Sequence, residues 1–265
     1  MKTLVKLQDD LYIPEDFAED HRYFADAEGK KKYTGITTIL GTLAKPMLIP
    51  WAARMASEYV ASVWEAGRAY TAEEIATIVE TAKGKHKKDK EKAGEHGTSQ
   101  HALCEEYIKL CIQAKSLIGI GDAMLAGLWT NNDKSARMSL IAPFIMWAVE
   151  NVKEFLFAER PVHSKSLFLA GTIDFGAVMK DGKRRIGDLK TGSGIYYEAI
   201  LQCEAYQLLA EEEGDTKYDG SVIVRLGKDG TFQTQERERG EIDEDAFFGL
   251  LKAYRGSQTF IKPKK

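Results

Sequence analysis

Asp174, Asp188 and Lys190 are the residues whose types and spacing first suggest chemistry. Residues 160–191 alternate like strands, with a Lys180-Asp181-Gly182 turn between SLFLAGTIDFGAVM and KRRIGDLKT. Side chains two apart on a strand share a face, so Asp188 and Lys190 point the same way. Whether Asp174 joins them depends on the loop. A two-residue loop at 181–182 pairs Lys180 with Lys183 and sends Asp174 to the wrong face, opposite Leu189. A three-residue loop pairs Met179 with Lys183 and Asp174 with Asp188. Such a loop favours glycine at its last, left-handed position, where Gly182 stands. The three-residue loop is therefore expected. Two carboxylates opposed on one sheet face repel each other. A divalent cation resolves that repulsion, and oxygen ligands with retained waters suit Mg²⁺ or Mn²⁺. A lysine beside such an ion can activate a water or stabilise charge developing on a phosphate. The competing reading is a pair of exposed hairpin carboxylates bound by Lys190 or Arg184.

Two further pairs bear on that choice. His101 and Glu105 stand at i, i+4 on a helical pattern and share a face. Gln202 and Tyr206 repeat the spacing within an apolar-periodic helix that carries Ala199, Ile200, Cys203 and Leu209. Each pair also has an ordinary structural reading, as a surface or core histidine and as a hydrogen-bonded rim.

The elements that must position these residues can be read around them. Residues 31–42 (KKYTGITTILGT) suggest a short strand or extended entry segment. Pro46 and Pro50 bracket the start of a helix over about 51–68. Thr71 and Glu74 form a capping box that opens a second helix, and a turn at Gly97-Thr98 opens a third, through HALCEEYIKLCIQ. A fourth helical pattern covers 135–157, with Pro143 at a kink or a start. After the first hairpin come a helix at 196–213 ending at Gly214, a second hairpin (219–226 and 231–239) around Lys228-Asp229-Gly230, and a last helix at 243–255. No repeat or linker is visible. The order predicts one α/β domain over 1–265, a central mixed sheet flanked by helices, with 1–95 mostly helical and 96–265 as the core.

Composition narrows the class. The chain has 265 residues, 44% apolar and 29% charged, which excludes disordered, collagen-like and disulfide-scaffold proteins. No apolar stretch approaches the ~20 residues of a spanning helix, so no membrane partner is expected. The charged start MKTLVKLQDDLYIP lacks a signal peptide's apolar region, and Cys104, Cys111 and Cys203 read as reduced core residues, so a cytoplasmic location is expected. Net charge is −3, yet six lysines crowd residues 83–92 against Asp89 and Glu91. That local strip fits one face that touches a polyanion, or a solvated helix exit. Lys85, Lys87 and Lys88 of the strip, with Arg54, are the candidate phosphate contacts.

Taken in order, G-T-x-x-H (Gly97 to His101), G-T-I-D (Gly171 to Asp174), D-L-K-T (Asp188 to Thr191) and Q-x-x-x-Y (Gln202 to Tyr206) resemble the RecB-like branch of the PD-(D/E)XK nucleases. The TTIL…KP…W segment (Thr37 to Trp51) resembles that of its phage-encoded exonucleases. The resemblance implies a restriction-endonuclease-like core and a Mg²⁺- or Mn²⁺-dependent deoxyribonuclease. It implies His101, Asp174, Asp188 and the Leu189 carbonyl as metal ligands. Lys190 is implied as the catalytic lysine, and Gln202 and Tyr206 as an accessory motif near the metal and the DNA backbone. Glu159 matches an acidic position frequent in these enzymes, though a helix-end Glu beside Arg160 is equally an ion pair. Glu105 would orient His101. Implied partners are double- or single-stranded DNA and a recombination protein such as a single-strand annealing protein; a homo-oligomer is compatible. Several such nucleases carry a four-cysteine iron–sulphur cluster. Three cysteines, none in the last 60 residues, cannot build one, and no Walker A loop offers an ATP site. The alternatives are a structure-specific endonuclease, or a catalytically silent DNA-binding or interaction module on the same fold.

Overall fold

The computed structural model describes residues 3–17, 20–46, 48–125, 127–128, 134–227, 230–241 and 244–261. The chain divides into two compact units, one of residues 1–43 with 100–265 and the other of residues 44–99. Residues 1–43, expected within a helical N-terminal region, belong with the sheet. They supply the hairpin β1 (Leu4–Gln8) and β2 (Leu11–Pro14), then β3 (Thr34–Gly35) and α1 (Ile36–Leu40). The Thr-Ile run read as extended is thus mostly helical. Gly35 stays extended and starts the helix, and Ile36, Ile39 and Leu40 bury one face of it. Tertiary burial overrides β-branched propensity there.

The unit of residues 44–99 holds α2 (Leu48–Val63) and the first part of α3 (Ala72–Ala114). The Thr71–Glu74 capping box is present. The Thr71 N–H donates to Glu74 Oε2 at 2.8 Å, and the Glu74 N–H donates to Thr71 Oγ1 at 3.2 Å. Helix α3 continues through Gly97-Thr98, so the expected second and third helices are one. A glycine costs an interior helix only about 1 kcal/mol, and the helix is held at both ends.

Two elements follow, α4 (Ile120–Leu125) and α5 (Lys134–Asn151), the latter with Pro143 in its interior. The expected fourth helix stops at Asn151, and residues 152–157 open strand β4 (Val152–Ser164). Then come β5 (Leu169–Met179), β6 (Arg184–Lys190), α6 (Tyr197–Glu212), β7 (Gly220–Leu226), β8 (Phe232–Glu238) and α7 (Glu244–Ile261). Residues 228–229 of the second expected turn lie outside the described residues.

The sheet runs β3-β5-β6-β7-β8, with β4 also paired to β5. It is mixed: β3–β5 and β6–β7 are parallel, and the remaining pairs are antiparallel. Strand β7 (GSVIVRL) is buried throughout, Ser221 and Arg225 included, as a central strand of a doubly covered sheet should be. One face packs Phe175, Ala177, Leu189, Val222 and Val224 against Tyr107 of α3 and Phe144 of α5. The other packs Val162, Ile173 and Ile186 against α1, α6 and α7. The result is an α/β fold with helices on both faces of the sheet. Among the described residues no helix is long and apolar enough to cross a membrane.

Candidate metal centre

The site grows from an opening in the sheet. Leu169 and Ala170 of β5 pair with β3 on one edge and β4 on the other. Residues 175–178 pair with β4 on that same edge and with β6 on the opposite one. Strands β3 and β6 therefore share an edge of β5, and between them, among the described residues, 171–174 face no strand. Asp174 sits at the end of this gap.

The hairpin has the register of a three-residue loop. Phe175 pairs with Gly187 and Val178 with Arg184. The Met179 N–H donates to the Lys183 carbonyl at 2.8 Å, and Gly182 takes a φ of +89°. One further residue along this register brings Asp174 level with Asp188. There the ladder gives way to a side chain, and Asp174 Oδ2 accepts the Leu189 N–H at 2.6 Å.

Glu159 enters from the other edge. It stands within β4 and not at a helix end, and Arg160 binds Asp215 and Glu213 instead of it. Ala158 pairs with Phe175 and Arg160 with Ile173, so Glu159 is level with Asp174. Its φ of +46° is rare for a residue with a side chain, and such conformations concentrate where function holds them. Glu159, Asp174 and Asp188 thus form a row across three adjacent strands. Helix α3 adds His101, whose Nδ1 lies 3.9 Å from Asp174 Oδ2. One ligand atom each from His101, Glu159 and Asp174 lie within 4.8 Å of one another.

Asp188 is engaged differently from its expected role. Lys190 Nζ donates to Asp188 Oδ1 at 2.7 Å and lies equally close to Oδ2, which is buried and accepts no hydrogen bond of its own. Lys190 also donates to Gln202 Oε1 at 3.2 Å, and Gln202 Nε2 donates to the Tyr206 hydroxyl at 3.0 Å. Tyr206 packs directly over Gly171, where an added Cβ would lie 2.4 Å from the ring. That close approach is what the glycine permits.

Electrostatics follow from this crowding. Burial, with the charges of Asp174 and Glu105, pushes the Glu159 carboxyl up to about 8. Burial also pushes Asp188 up to about 6, against the pull of Lys190. Lys190 is itself mostly buried, which opposes its charge, but Asp188 and Asp174 hold it above its ordinary value. Three carboxyl groups crowd against little positive charge, and two of them hold their protons well above the ordinary carboxyl range. A nitrogen and two carboxylate oxygens converging within 4.8 Å fit a divalent cation.

Other expectations fare unevenly. Leu189 meets Asp174 through its N–H. Glu105 pairs with Lys109 instead of orienting His101, though its charge reaches Glu159. Tyr23 was invisible in the sequence. Its hydroxyl meets Thr172 Oγ1 at 2.8 Å, two residues before Asp174, and burial raises its phenol to about 12. Arg54, Lys85, Lys87 and Lys88 belong to the unit of residues 44–99, not to the carboxylate unit. There Lys87 and Lys88 are exposed, and Arg54 lies 3.8 Å from Glu58. The Lys90, Lys92, Gly97 and Thr98 side chains lie outside the described residues. All three cysteines are buried thiols.

No family model matches the chain, and no curated protein matches it. Among solved structures it is similar to one described as SSO0001, with 12% identity over 80% of this chain and 87% of that one. The TM-score of 0.30 is too low for that likeness to carry an argument.

Proposed function

We propose that this chain is a divalent-metal-dependent nuclease that hydrolyses phosphodiester bonds in DNA, an exonuclease of recombination or DNA processing. The observation that carries the reading is the carboxylate row Glu159–Asp174–Asp188, flanked by His101 on one side and Lys190 on the other. His101, Glu159 and Asp174 would hold Mg²⁺ or Mn²⁺, with Asp188 beside them. When bound, the ion would polarise a phosphate oxygen and lower the pKa of a water. The chain's own groups do the rest. Asp188 and Gln202 hold the Lys190 ammonium in place, where its N–H groups can meet a non-bridging oxygen as charge develops. Tyr206 and Gln202 fix that lysine from the helix side. Water oxygen bonds to phosphorus as one of its protons goes to solvent, the phosphorus–ester oxygen bond breaks with its electron pair on the leaving oxygen, and that alkoxide takes a proton from solvent.

The test is end-labelled linear DNA and circular DNA, each incubated with Mg²⁺, Mn²⁺ or EDTA. Shortening of the linear form alone, dependent on the ion and absent in Asp188→Asn, is expected. Cleavage of circles would turn the reading to an endonuclease. No cleavage of either form in either ion would overturn it in favour of a silent binding module.

A further inference from the structure

The loop between Lys190 and α6 carries two large aromatic side chains in solvent. Tyr196 is 56% and Tyr197 52% exposed, although the loop joins the strand of the central lysine to the helix of Gln202. Two adjacent exposed aromatic rings offer a flat surface that a ligand with a π-face can cover.

The loop is held, not loose. Arg225 of β7 stands level with Lys190 and donates from Nε to the Gly192 carbonyl at 2.7 Å. The Tyr196 hydroxyl meets Ser193 Oγ at 2.7 Å. Tyr196 is the N-cap of α6 in an extended conformation, and Tyr197 is the first residue of the helix. From Tyr197 to Gln202 the helix rises only about 7.5 Å, and Gln202 touches Lys190. Both tyrosines therefore sit on the segment that joins the proposed catalytic lysine to its glutamine partner, on a backbone fixed by the same strand that flanks the lysine.

We propose that Tyr196 and Tyr197 form a stacking platform for unpaired nucleobases, so that the substrate is a DNA terminus with a single-stranded overhang. The inference rests on the nuclease reading above and names its substrate class. Every base presents a π-face, so such a platform grips a strand end without reading its sequence. Tyrosine suits the task, with a large rigid ring and only two side-chain torsions to immobilise.

The experiment compares the full chain with a Tyr196→Ala/Tyr197→Ala double variant and a Tyr196→Phe/Tyr197→Phe control. Divalent ions are chelated so that nothing is cut. The probes are a blunt duplex and the same duplex with overhangs carrying 2-aminopurine at each strand end. The expected result is quenching of 2-aminopurine by the wild type and by the Phe control. The Ala variant should lose about five- to hundredfold in affinity per stacked base for the overhang DNA, with blunt-duplex affinity unchanged. Equal overhang affinity in the Ala variant, or an equal loss on blunt duplex, would overturn the platform while wild-type cleavage still supports the nuclease. If the wild type neither binds nor cuts DNA, both readings fall.

Discussion

Asp174 Oδ2 accepts the Leu189 backbone N–H at 2.6 Å, so a side chain completes the ladder where β5 and β6 part. The bond pins the central carboxylate one residue before Lys190 and directs it into the gap that β3 leaves open. The carboxylate row and the open sheet edge are therefore one feature, and disturbing either should disturb the other.

Asp188→Asn should abolish cleavage and lower stability by about 1–3 kcal/mol. Relief of carboxylate repulsion favours the variant, but it removes the charge that faces the Lys190 ammonium and leaves it only neutral oxygens, that of Gln202 among them. Removing one member of a buried pair costs about 3–5 kcal/mol, reduced here because the Lys190 side chain keeps 30% exposure. Urea midpoints report it, and an unchanged midpoint would mean that the pair contributes nothing.

Glu159 makes a pH prediction for metal-free protein. Its folded value of about 8 lies above the ordinary 4.5, so the folded state holds the proton more tightly than the unfolded one. Ionisation is disfavoured on folding, and stability falls as pH rises from about 4.5 to 8. Glu159→Gln should flatten that decline and gain a few kcal/mol at pH 8 relative to pH 5. Thermal melts in EDTA at both pH values check this; parallel wild-type and variant slopes would contradict it.

Metal binding should stabilise the fold. At one hundred times its dissociation constant, Mn²⁺ adds about 2.7 kcal/mol, or roughly 5–10 °C in a chain this size. His101→Ala should shrink the shift at equal Mn²⁺ concentration. An undiminished shift would remove His101 from the ligand set.

Gly171→Ala forces a Cβ to 2.4 Å from the Tyr206 ring. Overpacking of this kind typically costs about 1–3 kcal/mol, and the displaced ring should also loosen Gln202 and Lys190. Stability and cleavage should therefore fall together. A fully stable, active variant would show that Tyr206 can move without consequence.

The lysine strip is tested by its salt dependence. Replacing Lys83, Lys85, Lys87 and Lys88 with glutamine should weaken binding to every sequence. The slope of log affinity against log salt should flatten by about 0.9 for each phosphate left unneutralised on duplex, or ~0.7 on single strands. Cleavage at saturating DNA should hold, because such lysines add binding and not transition-state interactions. An unchanged slope would leave the strip a solvated helix face.

What the chain makes legible is local. The hairpin register follows from the turn, since a loop ending in Gly182 admits one pairing, and the Gln202–Tyr206 spacing follows from helix period. Glu159 is harder to see. Its place opposite Asp174 depends on a long strand pairing with irregularities between Val152 and Glu154 and between Phe155 and Phe157, which shift any count made along the chain. The Lys190–Asp188 pair is foreseeable as a surface contact, but its burial depends on β7 and α6. Tyr23 carries no signal at all. Its partner is 149 residues away, and nothing in a lone tyrosine announces such a contact.

That separation has a consequence for synthesis. The Tyr23 segment and β3 leave the ribosome long before the strand they join, and at about 5–20 residues per second Thr172 follows some 7–30 s later. In that interval β3 has no β5 edge to bind, while residues 44–99 emerge between them as a separate compact unit. The N-terminal 43 residues must wait to dock onto a sheet whose β5 is made only after them. The carboxylate centre draws its groups from His101 to Tyr206, so a nascent chain that has not yet released α6 (Tyr197–Glu212) carries no completed site.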